Sequence, residues 1–592
     1  MLCTAFLFLK FITTSKIIKL HIKLAIRVLP EFLDVLYNNY KTSTMKKGSY
    51  QFSFEDKRRN GDIMQVTVKS NKPILKIENF AAHGHIHPTE RLNDMSGQEN
   101  LRRMARDGCL EYVRLYTMHE HIVSMDKDGN LKYNWTENDE RLDLLVECNI
   151  KPILCFGFMP ECIAEGYEDR KRHRRGRQLY PFAPSDYSLW REVCRAYTEH
   201  VLERYGLETI KNWYFECWNE PDGGFFIPEA LGNKDQEVHD QKYLKYERLY
   251  DAFAMGVKDV SKELLVGGPG TNSMSSNVVN YAERLVDHAV NGINHETGEK
   301  DVPFDFLSYH AYAGGKKAAE NGIAPKLEGI MNKLNRGGEI LNKYGISVPL
   351  LLNEWDILGM SGCLFAVQKN PDAIRYTTKL DMRYHDTEYM SAMFAKMMDM
   401  VIRGPLMSGV PLKMMALCMV DPEIQSEGEQ EFIDARTIIT PGGFIKPIYH
   451  LHSIASKLTG QLLEMDADMS EYAGVVPIKS DDECIRTMVY YIKEDFFEKI
   501  PNDRMKLKIE GVKGKFRVRH YRIDHMMSNS FTKWAELGMP SAPNIVEREH
   551  INRAGKLTLL YPETEVMLDG TFEEEIYLFQ NCVSYIELSP VK

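Results

Sequence analysis

Apolar and polar residues follow two different rhythms along this chain. Between residues 50 and 80 the period is two. Tyr50-Gln-Phe-Ser-Phe54 and Met64-Gln-Val-Thr-Val68 put every second side chain on one face, which predicts a β-ribbon. From about residue 75, short apolar runs alternate with longer stretches of helical period, the pattern of βα units. The runs predict strands at Ile74–Phe80, Glu111–Tyr116, Pro152–Gly157, Trp213–Asn219, Leu264–Gly268, Phe304–His310, Pro349–Glu354 and Lys413–Val420. Eight such units predict an α/β fold, the (β/α)8 TIM barrel. One intervening helix is legible in detail. Ser185-Asp186 supplies its cap, and Leu189, Val193, Tyr197 and Val201 recur at every fourth position.

After about residue 460 the short period returns. Arg486–Ile492, Met505–Ile509, Phe516–Tyr521, Lys556–Leu560 and Glu574–Phe579 predict an accessory β-sandwich, which the N-terminal ribbon is expected to join. The organisation expected is an N-terminal extension over 1–44, a β-ribbon over 45–74, a barrel over 75–460 and a C-terminal sandwich over 461–592.

Composition narrows the function class. With 592 residues the chain exceeds one compact core, so several domains are expected. A net charge of -10 argues against nucleic-acid binding. The eleven cysteines have no paired spacing, and Cys109, Cys155, Cys217 and Cys418 sit in apolar runs where free thiols behave as small hydrophobes. That usage predicts a reducing compartment and a cytoplasmic protein. Leu2 to Leu9 is apolar but is interrupted by Lys10, too short and too charged to span a bilayer. Export is the alternative if this segment acts as a signal.

The candidate chemistry lies at strand tips. Trp213-Tyr-Phe-Glu-Cys-Trp-Asn-Glu-Pro-Asp222 is an apolar strand that ends in Asn219-Glu220-Pro221. Val348-Pro-Leu-Leu-Leu-Asn-Glu-Trp-Asp356 repeats the design with Glu354. Barrel enzymes present reactive groups at the C-terminal ends of strands, and a pair of carboxylates there is the apparatus of glycoside hydrolysis. Glu220 is the candidate general acid/base and Glu354 the candidate nucleophile, or in an inverting enzyme a base acting through a water; the separation of the carboxyl groups decides, and about 5–5.5 Å is expected. Asn219 is expected to hold a sugar hydroxyl. In Tyr309-His310-Ala-Tyr312, residues two apart share a face, so His310 and Tyr312 point into one cup, where Tyr312 can orient the nucleophile. Arg114 can favour the ionised form of Glu354. Tyr116, two residues beyond Arg114, Trp355 beside Glu354, and Asp421 at the tip of the eighth strand complete the expected substrate contacts. His83-Gly-His-Ile-His87 raises the question of zinc, but the paired-carboxylate mechanism needs no metal. His85 is therefore assigned to sugar contact, and neither a metal nor a cofactor is expected. The basic run Arg170-Lys-Arg-His-Arg-Arg-Gly-Arg177 reads as a solvated loop, and Gly267-Gly-Pro-Gly270 as a tight turn.

These motifs together resemble glycoside hydrolase family 39, the family of β-xylosidases and α-L-iduronidases. The resemblance covers about 75–460 and is strongest over 211–360. It is carried by Glu216-Cys-Trp-Asn-Glu-Pro-Asp222, Gly267-Gly-Pro269, Asn294-His-Glu-Thr-Gly-Glu299, Asp305-Phe-Leu-Ser-Tyr-His310 and Leu352-Asn-Glu-Trp-Asp356. It implies a retaining mechanism, with Glu220 matching the acid/base and Glu354 the nucleophile. Tyr312 stands where the iduronidase branch has a lysine, as in xylosidases. Tyr116 replaces a histidine common to both branches, and Cys418-Met-Val-Asp421 replaces a stretch where xylosidases often show tryptophan. The expected activity is a retaining exo-glycosidase of β-xylosidase type acting on an oligosaccharide or glycoside, with self-association left open. The alternatives are an α-L-iduronidase-like enzyme, a non-catalytic glycan-binding barrel and a metal-dependent barrel hydrolase.

Overall fold

The structure is a computed structural model. It describes residues 63–591 apart from 88, 167–171, 175–176, 180, 231, 273–278, 315–323, 360–382, 405–411, 422–430 and 497. The predicted strand at 50–54 and the extension at 1–44 lie outside the described residues.

Eight strands close into a barrel: His83–His85, Tyr112–Tyr116, Lys151–Phe156, Tyr214–Cys217, Leu265–Thr271, Phe306–Tyr312, Leu350–Asp356 and Leu412–Cys418. All eight pairings are parallel. Helices cover the outside, so the strands are buried on both faces, which is why they read as continuous apolar runs. The helix Tyr187–Tyr205 starts where the sequence placed it. Asp186 caps it by accepting from the Ser188 amide, and Val193, Tyr197 and Val201 are buried.

The first barrel strand departs from expectation. Residues up to Ile77 belong to the accessory sheet, and the barrel strand is the three-residue His83-Gly-His85. Ile74-Leu-Lys-Ile77 has the alternation of a half-exposed sheet strand. The true barrel strand looks polar in sequence because it carries two histidines, both buried, His83 hydrogen-bonded to Asn79 and Tyr112 and His85 beside Glu354.

Inside the barrel, Tyr112, Ile153, Tyr214, Phe306, Leu351 and Met414 form one apolar layer. Two residues further along four of these strands, the inward positions become Arg114, Glu216, Ser308 and Asn353, all fully buried. The apolar layer seals one end, and the polar layer forms the floor of a cup at the C-terminal end of the strands.

The accessory sheet closes on itself through one 21-residue strand, Asp503–Ile523. Its first part pairs with Met64–Ile77 and its second with Cys582–Pro590, while Thr564–Leu578 runs along its length. The register slips between Glu510 and Val512, at Gly511 with φ of +82°, where the strand bends. Val66, Leu463, Val489, Leu507, Ile576 and Ile586 share the core of this sandwich. The two strands predicted at 505–509 and 516–521 are therefore one. Gly460–Asp468, Ala473–Lys479 and Cys582–Pro590 are strands that the alternation did not reveal. The sandwich is tied to the barrel by helix Glu388–Arg403, where Tyr490 donates to Asp399 at 2.9 Å and Arg403 to the Val475 carbonyl at 2.7 Å. The basic run contributes a two-stranded hairpin, Arg172–Arg174 with Arg177–Leu179. Among the described residues the nine cysteines are free, and no helix is long and apolar enough to cross a membrane.

Candidate active site

Glu220 and Glu354 reach the cup by different backbone devices. At the end of Tyr214–Cys217 the chain turns through two left-handed residues, Trp218 at φ 70° and Glu220 at φ 44°. Non-glycine residues avoid this region, at a cost of order 1 kcal/mol or more each. The surroundings hold them there. The Trp218 ring is buried against Phe158, Trp190 and Phe226, and its Nε1 donates to the Phe225 carbonyl at 2.9 Å. The Glu220 amide donates to the Gly270 carbonyl at 2.9 Å, and Lys242 Nζ donates to the Gly223 carbonyl at 2.8 Å just beyond.

Glu354 uses a bulge. Tyr309 pairs with Leu352, but His310 pairs with Glu354, so Asn353 is one residue extra. Strict alternation would turn Glu354 outward. The bulge lets Asn353 and Glu354 both face the barrel interior and turns Trp355 outward.

Arg114 is the hub of the floor. Its Nη1 donates to Glu354 Oε1 at 2.7 Å, its Nε to Glu216 Oε2 at 2.7 Å, and its Nη2 to Asn219 Oδ1 at 3.1 Å. Glu216 also accepts from Ser308 Oγ at 2.5 Å and from Asn353 Nδ2. One permanent cation thus sits between two buried carboxylates, each with further donors, which is the condition for keeping such charges buried. Gly270 makes room for this pair. It has φ of +56°, and a Cβ there would stand 3.0 Å from Glu216 Oε1 and 3.5 Å from Arg114 Nη2.

Above the floor, Tyr312 donates its phenol to Glu354 Oε2 at 2.7 Å. His310 Nδ1 lies between the two carboxylates, 2.9 Å from Glu220 Oε1 and 3.5 Å from Glu354 Oε2. A carboxylate oxygen of Glu220 and one of Glu354 are within 4.8 Å of each other. Burial pushes the Glu354 carboxyl up, yet His310, His85 and Arg114 outweigh it and hold it well below the usual carboxylate range. Burial lowers the pKa of His85 itself, so Arg114 is the permanent charge among them. His85 Nδ1 approaches Glu354 Oε1 to 3.2 Å but is not aligned for a hydrogen bond. Neither His85 ring nitrogen has a protein hydrogen-bond partner. A buried imidazole in that condition is set up to receive a ligand hydroxyl.

Most of the predicted positions converge here. His85, Arg114, Asn219, Glu220, His310, Tyr312 and Glu354 are joined by the contacts above. Tyr116 packs edge-on against His85 and His87, at 5.5 and 5.4 Å between ring centres, and forms one wall. Two predicted contacts do not converge. Trp355 is fully buried outside the barrel against Phe394 of helix Glu388–Arg403, because the bulge at Asn353 reverses its direction. Asp421 has both oxygens occupied, Oδ2 by Arg91 Nε at 2.9 Å and Oδ1 by Asn100 at 2.8 Å. Burial pushes its carboxyl up to about 6 against the pull of Arg91, and it anchors the first βα loop instead of facing the cup.

Four participants carried no predicted role. Glu216 could have been flagged as a charge inside an apolar strand run, and Ser308 and Asn353 follow from counting two residues back from His310 and along Leu351. Arg436 gave no local signal. Its guanidinium lies 5.5 Å from the centre of the Tyr312 ring, with Nη1 buried and without a hydrogen-bond partner. Among the described residues, His85–Glu354–Cys418 and Glu220–His310–Glu354 have ligand-like spacing. Both would place a cation beside Arg114, which already neutralises Glu354. His83 is excluded as a ligand, since its ring nitrogens meet the Asn79 carbonyl at 3.1 Å and the Tyr112 amide at 3.2 Å.

The family model of glycosyl hydrolases family 39 matches residues 64–558. A beta-xylosidase of Caldicellulosiruptor saccharolyticus is 25% identical over 508 residues, covering 84% of this chain and 92% of that protein. An alpha-L-iduronidase of Mus musculus is 28% identical over 211 residues, 36% of this chain and 30% of that protein. The crystal structure of a monomeric beta-xylosidase from Caulobacter crescentus CB15 superposes with a TM-score of 0.70 at 18% identity. It covers 89% of this chain and all of that one.

Proposed function

Since the chain belongs to glycosyl hydrolases family 39 and is a glycoside hydrolase, we propose that it is a retaining exo-glycosidase of β-xylosidase type, with Glu220 as acid/base and Glu354 as nucleophile. The observation that carries this reading is that one oxygen of each carboxylate lies within 4.8 Å of the other, with His310 Nδ1 2.9 Å from Glu220 and 3.5 Å from Glu354 between them. Inverting enzymes keep their carboxyl groups roughly 6.5–9.5 Å apart to admit a water, whereas covalent double displacement needs about 5–5.5 Å.

In the first step an ionised Glu354 oxygen forms a bond to the anomeric carbon as the glycosidic C–O bond breaks. Glu220, protonated, gives its proton to the departing oxygen. In the second step Glu220 takes a proton from water as the water oxygen bonds to the anomeric carbon, and the ester bond to Glu354 breaks, returning the carboxylate. Arg114 and Tyr312 keep one Glu354 oxygen each in a donated hydrogen bond, so the carboxylate is oriented and ionised before substrate arrives. His310 holds Glu220 toward the same point. His85 and the Asn219 amide are left to meet sugar hydroxyls.

The sugar is read as a neutral pentoside. Tyr312 spends its one donor on Glu354, and the similarity to a beta-xylosidase runs nearly the full length of that relative. One observation favours a second reading, an α-L-iduronide. Arg436 beside Tyr312 is a half-buried cation, its Nη1 buried and unpartnered, that could meet a uronate carboxylate. Rates on aryl β-xyloside, arabinoside, glucoside and α-L-iduronide, with proton NMR of the first-formed anomer, test both. Retention with a xyloside preference is expected, and Arg436→Gln should leave that preference in place. Inversion would overturn the mechanism. An iduronide preference abolished by Arg436→Gln would overturn the sugar.

A further inference from the structure

A second cluster of ligand-type side chains lies outside the cup, on the helices that cover the barrel. Helix Gln236–Val260 contributes Glu247 and Asp251, helix Tyr281–Asn291 contributes His288, and the segment after it contributes His295. Glu247 Oε1 lies 3.1 Å from His295 Nε2 and 3.6 Å from His288 Nδ1, and the three donor atoms are all within 4.8 Å of one another. A point no more than about 2.4 Å from all three donors exists inside that triangle, close to the roughly 2.0–2.2 Å of zinc–nitrogen and zinc–carboxylate bonds.

The surrounding groups fit a cation as well. His288 Nε2 is 3.0 Å from both oxygens of Asp251, which is fully buried. A carboxylate on one ring nitrogen fixes the tautomer and aims the other nitrogen's lone pair, the usual arrangement behind a metal-binding histidine. Here the other nitrogen is Nδ1, which lies 3.6 Å from Glu247 Oε1. The same Asp251 accepts from the His295 backbone amide at 2.7 Å, so one buried carboxylate sets both histidines. The two carboxylates, Glu247 and Asp251, balance the charge of a divalent ion once its binding has displaced any imidazole proton. The His295 side chain is 37% exposed, which leaves a path for the ion and a coordination position for water. Two imidazoles and a carboxylate select a borderline-soft first-row metal over calcium or magnesium, which take oxygen ligands.

We propose that Glu247, His288 and His295 form a binding site for a divalent first-row metal ion, zinc foremost, that fastens the segment after residue 291 to helix Gln236–Val260. This segment is the stretch Asn294-His-Glu-Thr-Gly-Glu299, and Arg191 holds it from the other side through Glu296 at 3.2 Å. The ion is a structural cross-link, and hydrolysis proceeds without it.

The test uses the full chain dialysed against a chelator. Titration with Zn2+ by calorimetry and with Co2+ by visible absorption should give one ion per chain, bound more tightly than about 1 µM, with a rise in Tm on Zn2+ addition. His295→Ala and Glu247→Gln should each weaken binding at least about 100-fold and remove the Tm rise, with kcat/KM on an aryl glycoside unchanged. His295 is partly exposed and Glu247→Gln keeps the side-chain shape, so both variants are expected to fold. The His85→Ala variant should still bind the ion. Absence of one-to-one binding would overturn the proposal. So would binding that survives His295→Ala or disappears in His85→Ala, because either would put the ion elsewhere.

Discussion

Removing one oxygen atom, in Tyr312→Phe, tests how the Glu354 carboxylate is kept poised. The phenol donates to Oε2 at 2.7 Å, while Oε1 keeps its bond from Arg114, also at 2.7 Å. A hydrogen bond to a charged group in a buried site is worth about 1.5–3 kcal/mol. All of that favours the ionised form, so its loss raises the Glu354 pKa by about 1–2 units, at 1.36 kcal/mol per unit. The native carboxyl is held below the usual range, and with Glu354 as the proposed nucleophile activity is expected to fall as pH drops through its pKa. The acidic limb of kcat/KM against pH should therefore move up by about 1–2 units in the variant. On the proposed mechanism the same donor also stabilises Glu354 as it leaves the glycosyl-enzyme. With an activated aryl glycoside, where the second step limits turnover, kcat should fall about 10- to 150-fold, and kcat/KM at neutral pH should fall less. Stopped-flow measurement of the aglycone burst separates the steps, and a thermal melt checks the fold. An acidic limb that stays in place together with an unchanged kcat would refute the reasoning, since the bond would then contribute nothing to the ionised nucleophile.

Three further outcomes follow from the same geometry. Glu354→Gln should abolish turnover even of activated substrates. Glu220→Gln should spare the first step for good leaving groups, and Glu220→Ala should regain turnover with azide; azide rescue of a Glu354 variant to a retained product would reverse the assignments. Glu216→Gln leaves the Arg114 Nε without its carboxylate and should cost about 3–5 kcal/mol in denaturant unfolding, with a fall in kcat/KM; unchanged stability would show that Glu354 alone suffices to balance Arg114. His385 is fully buried between Asp356, at 2.9 Å, and Asp434, at 3.1 Å. Burial lowers its pKa, but the two aspartates outweigh that and push it up to about 10. Its stabilisation is present in full below the unfolded value of about 6.5 and is lost as pH rises through about 10. Native Tm should decline over that window, and His385→Asn should flatten the decline while lowering Tm at neutral pH.

Much of this protein is legible from local pattern. Period-two alternation, apolar runs of strand length and a capped helix are properties of neighbouring residues, and they determine the barrel, its strand tips and the accessory sheet. Glu220 and Glu354 stood out for the same reason, as carboxylates at the ends of apolar strands, as did Arg114 at the end of another, and His310 and Tyr312 followed from the two-residue repeat. What neighbouring residues do not carry is the identity of a partner far away in the chain. Asp421 looks like a strand-tip ligand until Arg91 and Asn100 are seen to occupy it. Arg436 lies 124 positions beyond Tyr312 in sequence, and only the closed barrel brings them together. Register is the other hidden variable. One extra residue at Asn353 turns Glu354 into the cup and Trp355 out of it, and nothing within the run Leu350–Asp356 distinguishes a bulged strand from a regular one. That choice belongs to the pairing with Phe306–Tyr312, where the hydrogen bonds of two strands must be satisfied together. The sequence by itself determined the two carboxylates and most of the groups around them; the tertiary structure decided which groups face one another, excluding Trp355 and Asp421 and bringing in Glu216 and Arg436, because direction and charge balance are set across strands and not along them.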